Sequence, residues 1–180
     1  MFTRTLTLAV CASFIGVAAA AHSDQPSGQA LRNGETFLIS ADTLLAARIG
    51  EPQASAVTLI AADPARKLAA VYAAADAIYV IADEGAQHHL LRIPARASGT
   101  IIPPLAPKVL AGCRNCRSLP ALKPRRLSDI AIPAGAIKTV IADPQKPGIS
   151  LDVEGTTGRH RFDYSPATGR FVSGRMNTAL

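Results

Sequence analysis

Tryptophan is absent from this 180-residue chain, and aromatic residues make up only 4% of it. A hydrophobic core with few large rings has to be built mainly from Leu, Ile and Val. Hydrophobic residues nevertheless account for 48% of the chain, which excludes a protein that is disordered throughout. The length and composition therefore predict one folded domain with an aliphatic core.

Long hydrophobic runs are also missing, because none reaches the roughly 18–20 residues that a membrane-spanning helix needs. Residues 6–20 form a shorter charge-free run that follows Arg4 and ends in small alanines. This pattern predicts a cleavable signal peptide over residues 1–21. Cys11 lies inside the run after Val10, unlike a lipid-attachment site, and would leave with the signal. The expected product is a single exported domain, residues 22–180, periplasmic or secreted and without a transmembrane segment.

Short alternating or β-branched runs separated by turn residues predict a mainly β fold of antiparallel meanders, sandwich- or barrel-like, with at most one or two short helices. The sequence predicts a short strand at 36–39, followed by two sets of four strands. The first set is 56–62, 68–73, 77–82 and 88–93, and the second is 136–142, 149–154, 159–164 and 170–173. Residues 41–49 are predicted as a short helix with Ser40 as its N-cap. Residues 24–33 are expected to be a loose, polar N-terminus.

A weak internal repeat supports this organisation, since residues 56–64 and 136–144 are both apolar runs that end in Asp-Pro. An Asp-Pro pair favours a turn, because Pro fixes φ and Asp bonds to nearby backbone groups. The segment after the first pair also reads as an Ala-rich helix. The alternation after the second pair favours a strand in both copies. The repeat suggests two similar β halves, about 35–93 and 134–175, joined by a Pro-rich basic loop at 94–133.

Acidic residues are absent from residues 92–126, which contain eight basic residues. A connection this long is commonly functional. No aromatic residue lies there to stack on bases, so nucleic acid is not the expected partner. We expect an anionic envelope component, such as a lipid phosphate or cell-wall polymer, or an acidic protein. A solvated loop that keeps the protein soluble is the alternative. The residues predicted to bind the partner are Arg114, Arg117, Lys123, Arg125 and Arg126.

Cys113 and Cys116 form the sharpest local motif, and an oxidising compartment predicts a structural disulfide between them. In these four residues alone the motif resembles that of the thioredoxin-like family, which implies thiol–disulfide exchange as an alternative. No βαβ pattern surrounds the pair, and Pro120 would stop a helix soon after it. Arg117 stands where a haem-attachment motif has His. The chain also shows no second ligand pair at a zinc-site spacing.

Common catalytic signatures are absent, including G-x-S-x-G, H-E-x-x-H, the P-loop and the dinucleotide fingerprint. His88 and His89 are predicted to begin a strand, where their rings point to opposite faces and cannot easily share a metal. The sequence therefore favours a non-catalytic binding module without a cofactor or metal. A redox protein that uses Cys113 and Cys116, or an envelope scaffold or maintenance factor, remains as an alternative function.

Overall fold

The computed structural model describes residues 28–50, 56–102 and 127–174, which form twelve β-strands and no helix. The strands, in chain order, are β1 (Gln29–Arg32), β2 (Glu35–Ser40), β3 (Thr43–Arg48), β4 (Val57–Ile60), β5 (Lys67–Ala73), β6 (Ala77–Glu84), β7 (Gln87–Pro94), β8 (Ser128–Ala131), β9 (Ala136–Ala142), β10 (Ile149–Gly155), β11 (Gly158–Ser165) and β12 (Arg170–Gly174).

Three four-stranded antiparallel meanders follow one another along the chain, with orders β1-β2-β3-β4, β5-β6-β7-β8 and β9-β10-β11-β12. Every strand pairs with its neighbour in sequence within its own sheet. Hairpin connections of this kind suit antiparallel pairing, which needs no crossover helix. The predicted β class of antiparallel meanders is confirmed.

The second sheet lies between the other two and is buried on both faces. One core joins it to the first sheet, where Phe37 and Leu44 pack with Ile78, Val80 and Leu91. Because β6 reads as a continuous apolar run, alternate residues can enter opposite cores.

The other core joins the second sheet to the third. Tyr79 and Leu90 pack there with Leu151, Val153 and Tyr164. The rings of Tyr79 and Tyr164 meet edge to face at a centroid distance of 5.7 Å. This edge-to-face geometry is favourable because the positive edge of one ring meets the negative face of the other.

A β-bulge in β5 adjusts which side chains enter each core. The register between β5 and β6 shifts between Leu68 and Ala70, leaving Ala69 as the extra residue. Leu68 therefore points into the first core and Ala70 into the second, although residues two positions apart in a regular strand face the same side. Ala69 itself is exposed at the edge of the second core.

The two Asp-Pro segments form the same turn. The carboxylates of Asp63 and Asp143 accept hydrogen bonds from the amides of Ala65 and Gln145, at 3.0 and 2.8 Å. Each aspartate's carbonyl also accepts from the amide three residues later, at 3.0 Å in both turns. The turns nevertheless differ in setting, since β4 pairs with β3 in the first sheet whereas β9 pairs with β10. Residues 56–93 thus do not form one four-stranded set.

The helix predicted over residues 41–49 is wrong, because this segment contains β3. Ala41 and Asp42 form a tight turn at positive φ (47° and 56°), which pairs Ser40 with Thr43. Leu44 and Ala46 are then buried in alternation, which is the period of a strand. Hydrogen bonding to both β2 and β4 outweighs the modest helix propensity of the Leu- and Ala-rich sequence.

Two further predictions need correction. The expected loose N-terminus contains β1, which pairs with β2 through the Asn33-Gly34 turn. The expected irregular connection over residues 94–133 contains β8, which pairs with β7. The remaining predicted strands coincide with observed strands to within a few residues. No helix in the described ranges is long and apolar enough to cross a membrane. The predicted signal peptide lies outside those ranges.

Candidate functional site

The predicted site residues all fall between two described strands. Cys113, Cys116 and the five predicted binding residues, Arg114, Arg117, Lys123, Arg125 and Arg126, lie outside the described residues, so the disulfide and the binding role stay predictions. We define the basic segment as residues 103–126, which contain six basic residues and no acid. The structure describes where the chain enters and leaves this segment.

A buried carboxylate holds the point where the chain enters the basic segment. Glu35 on β2 is only 1% exposed, and its two oxygens accept hydrogen bonds from the amides of Ile101 and Ile102, each at 2.8 Å. Both isoleucines are buried in the first core. Two charge-assisted hydrogen bonds to consecutive amides fix both position and direction of the backbone. The last described residues before the basic segment are therefore attached firmly to the first sheet.

Arg32, at the end of β1, holds the preceding turn. Its guanidinium donates to the carbonyls of Ala74 (2.7 Å), Ala75 (2.5 Å) and Gly99 (2.5 Å). The side-chain amide of Asn33 donates to the same Gly99 carbonyl at 2.8 Å. Arg32 is 5% exposed, so these three bonds satisfy a cation that water scarcely reaches. One hairpin thus supports both the β5–β6 turn and the loop before the basic segment.

The chain returns from the basic segment through Leu127, which packs against the first core, and enters β8. Asp129 on β8 accepts hydrogen bonds from Arg66 (2.7 Å) and from His89 (2.8 Å). Arg66 also donates to Glu84 at 3.0 Å. The described residue before the basic segment, Ile102, is therefore held by the first sheet, and the strand after it, β8, belongs to the second.

Charge is balanced within the described residues, which contain eleven basic (Lys and Arg) and eleven acidic residues. The whole chain contains 19 and 13, so its net charge of +6 arises outside them. The six basic residues of the basic segment are the largest contribution. All eleven described carboxylates also accept a hydrogen bond or form an ion pair within the described residues. The folded sheets therefore offer no surplus negative charge to neutralise the basic segment.

No protein-family model matches the chain, and no curated protein resembles it significantly in sequence.

The two adjacent histidines do point to opposite faces of the second sheet, as predicted. His88 donates from Nδ1 to Asp83 at 2.6 Å on the side of the third sheet, and His89 donates to Asp129 on the side of the first. Among the described residues, no group of three or more His, Cys, Asp or Glu side chains is arranged to hold a metal ion. His88 is instead matched with Asp83, whereas His89 lies 2.8 Å from Asp129 and 3.9 Å from Glu84.

A polar network at Asp76 joins the second and third sheets, and it was not anticipated. Asp76 accepts hydrogen bonds from Arg92 (2.9 and 3.2 Å), the Tyr79 hydroxyl (2.9 Å) and the amide of Gly148 (2.8 Å). Burial alone would raise the pKa of Asp76, but these hydrogen bonds outweigh it and lower the pKa. Burial and the Asp76 charge together raise the pKa of Tyr79. Arg92, the first basic residue of the acid-free stretch, is thus a structural cation.

Proposed function

We propose that this protein is an exported, non-catalytic binding module of the cell envelope, whose basic segment binds an anionic partner. The predicted signal peptide supports export, and the charge distribution supports an anionic partner. The five residues proposed to carry the binding are Arg114, Arg117, Lys123, Arg125 and Arg126.

The observation that carries the proposal is the separation of charge between sheets and segment. The described residues contain equal numbers of basic and acidic side chains, and each of their carboxylates accepts a hydrogen bond or forms an ion pair. The basic segment, in contrast, has six cations and no acid. A cluster of one sign attracts an anionic surface over about one Debye length, roughly 8–10 Å in physiological salt. The Glu35 and Arg32 contacts would keep the start of the segment at a fixed place on the body.

The test compares two variants with the same net charge. In one, Arg114, Arg117 and Lys123 are replaced by Ser; in the other, the exposed body residues Lys67, Lys146 and Arg170 are replaced by Ser. Each variant is incubated with vesicles of phosphatidylglycerol or of phosphatidylcholine, and bound protein is measured by sedimentation at two salt concentrations.

We expect the wild-type protein to bind the anionic vesicles, and to bind them less at high salt. Three basic side chains at an anionic surface contribute about 3 kcal/mol, so the segment variant should bind about 100-fold more weakly. The body variant should retain most of the affinity. Equal loss in both variants would show that net charge alone drives association. That result, or the absence of wild-type binding, would contradict the proposal.

A further inference from the structure

A cavity of about 340 Å³ lies between the second and third sheets, away from the basic segment's attachment points. Its walls are mainly apolar and come from β5, β6 and β9, with Ala70, Tyr72, Ile81, Ile137 and Val140 among them. This volume is at the lower end of the range for small-molecule sites, roughly 300–1,000 Å³. The walls therefore suit a compact apolar molecule.

Tyr72 gives this cavity its internal polar group. Its side chain is 6% exposed, and its hydroxyl forms no hydrogen bond with any described residue. Burial raises the pKa of Tyr72 to about 12, so the hydroxyl stays protonated at neutral pH. The hydroxyl lies among mainly apolar walls, so a ligand that exchanged a hydrogen bond with it there would be stabilised by that bond.

The polar side chains at the rim of the cavity are already paired with one another or with a neighbouring residue. His88 is matched with Asp83 at 2.6 Å, and the Lys138 ammonium lies 2.6 Å from the Glu154 carboxylate. None of these four side chains is therefore left without a partner that could select an ionic ligand. The β-bulge at Ala69 also lies at the cavity, and bulges are common beside binding sites because they redirect side chains.

From these observations we infer that the cavity is a binding site for a small neutral molecule with an apolar body and one hydroxyl group. The body would contact Ile81, Ile137 and Val140, and the hydroxyl would exchange a hydrogen bond with Tyr72. This site is independent of the proposed function, because none of its lining residues belongs to the basic segment.

The experiment uses benzyl alcohol as the probe and toluene as its apolar counterpart. Binding of each is monitored by two-dimensional amide NMR of the full mature chain. Benzyl alcohol should cause saturable shifts at Ala70, Tyr72, Ile81 and Val140, with a Kd of about 1 mM for a ligand of this size. Shifts that do not saturate, or that spread evenly over the protein, would overturn the inference.

Two variants locate the site and its polar group. Ala69→Trp should fill the cavity from its exposed mouth and remove the shifts, whereas Val172→Trp places the same ring at an exposed position on the third sheet and should leave them intact. Tyr72→Phe should weaken benzyl alcohol binding about fivefold and leave toluene binding unchanged. If benzyl alcohol caused the same amide shifts in both Trp variants, the site would not lie at this cavity. If Tyr72→Phe bound benzyl alcohol as tightly as the wild-type protein, the hydroxyl would have no role in binding.

A last control separates this inference from the proposed function. The variant with Ser at positions 114, 117 and 123 should bind benzyl alcohol as the wild-type protein does. The Ala69→Trp variant should still bind phosphatidylglycerol vesicles. Either proposal can therefore fail without the other, and loss of both activities in one variant would point to unfolding, which the amide spectrum detects directly.

Discussion

Arg32 and Glu35 lie opposite each other across the first hairpin, yet both side chains bind backbone atoms of other segments. Arg32 donates to carbonyls and Glu35 accepts from amides, so the pair holds both kinds of backbone group in residues 99–102. Both side chains are at least 95% buried. Two buried charges that each bind backbone groups specify one geometry for the loop, because any other placement would leave a charge without partners.

Glu35→Gln tests the attachment of the loop. A glutamine amide would place an N–H group against one of the two backbone N–H groups, so one hydrogen bond would be replaced by a donor–donor contact. We expect a loss of about 2 kcal/mol in the free energy of unfolding, measured by urea titration. The amides of Ile101 and Ile102 should also exchange hydrogen faster, to a greater extent than amides of the third sheet.

The matched control for this prediction is Glu154→Gln, which makes the same chemical change at an exposed side chain. It should leave the exchange of Ile101 and Ile102 unchanged. Unaltered exchange of both amides in Glu35→Gln would contradict the attachment described here.

Asp76→Asn should destabilise the protein by about 3 kcal/mol, because it leaves the half-buried guanidinium of Arg92 without its carboxylate. Both side chains are 18% exposed, so water compensates only in part. The free energy of unfolding from denaturant titration measures the effect. Tyr79→Phe removes one hydrogen bond of the same network while keeping the ring, and should cost only about 1 kcal/mol. An Asn variant as stable as the Phe variant would contradict this account.

Acid should weaken the fold through Asp76 and Asp152. Hydrogen bonds from Arg161, with the charges of Arg161 and Arg159, lower the pKa of Asp152, and the network described above lowers that of Asp76. In the unfolded chain both aspartates have the ordinary pKa of 3.8, so both contribute their full stabilisation to the folded state above that pH. The contribution decreases as pH falls from there through the lower folded pKa. Urea midpoints at pH 7, 5, 4 and 3 should show this decrease.

Asp152→Asn should reduce the acid dependence without removing it, because Asp76 still titrates. The comparison is the change in the free energy of unfolding between pH 5 and pH 3 in the two proteins. An identical change in wild type and variant would show that Asp152 does not contribute.

Gly148→Ala should be more destabilising than Gly169→Ala. Both glycines have positive φ (88° and 66°), which costs an alanine about 1 kcal/mol. At Gly148 a Cβ atom would also lie 2.7 Å from the carbonyl oxygen of Tyr164, whereas at Gly169 it would meet open space. We expect Gly148→Ala to cost at least 1 kcal/mol more in unfolding free energy. Equal costs in thermal or denaturant unfolding would contradict the close approach.

Sequence patterns predicted most strands, because a strand buried on one face shows alternating apolar residues and a strand buried on both faces shows a continuous apolar run. The apolar run of β6 and the alternation of β10 are local signals, and both strands were located correctly. The Asn33-Gly34 pair is an equally local signal of a two-residue hairpin, and it would have identified β1. The Ala41-Asp42 turn has no such signature, so β3 was mistaken for a helix.

The sheet arrangement and the polar networks depend on contacts distant in sequence. The residues of β4 alone do not indicate that it belongs to the first sheet, because its membership depends on its hydrogen bonds with β3. Asp76 meets Gly148 across 72 positions, and Glu35 meets Ile102 across 67. Nor could the cavity be foreseen, because it forms only where β5, β6 and β9 pack together. The basic segment was identified from its composition, which needs no tertiary structure.

The balanced charge of the described sheets has a practical consequence for handling the protein. At neutral pH a cation-exchange resin would retain the protein chiefly through residues 103–126, because the charges of the eleven basic and eleven acidic residues of the sheets cancel. Proteolysis that removed that stretch would shift the product from the bound fraction to the flow-through. Elution position is thus a direct readout of whether a preparation still carries its basic segment.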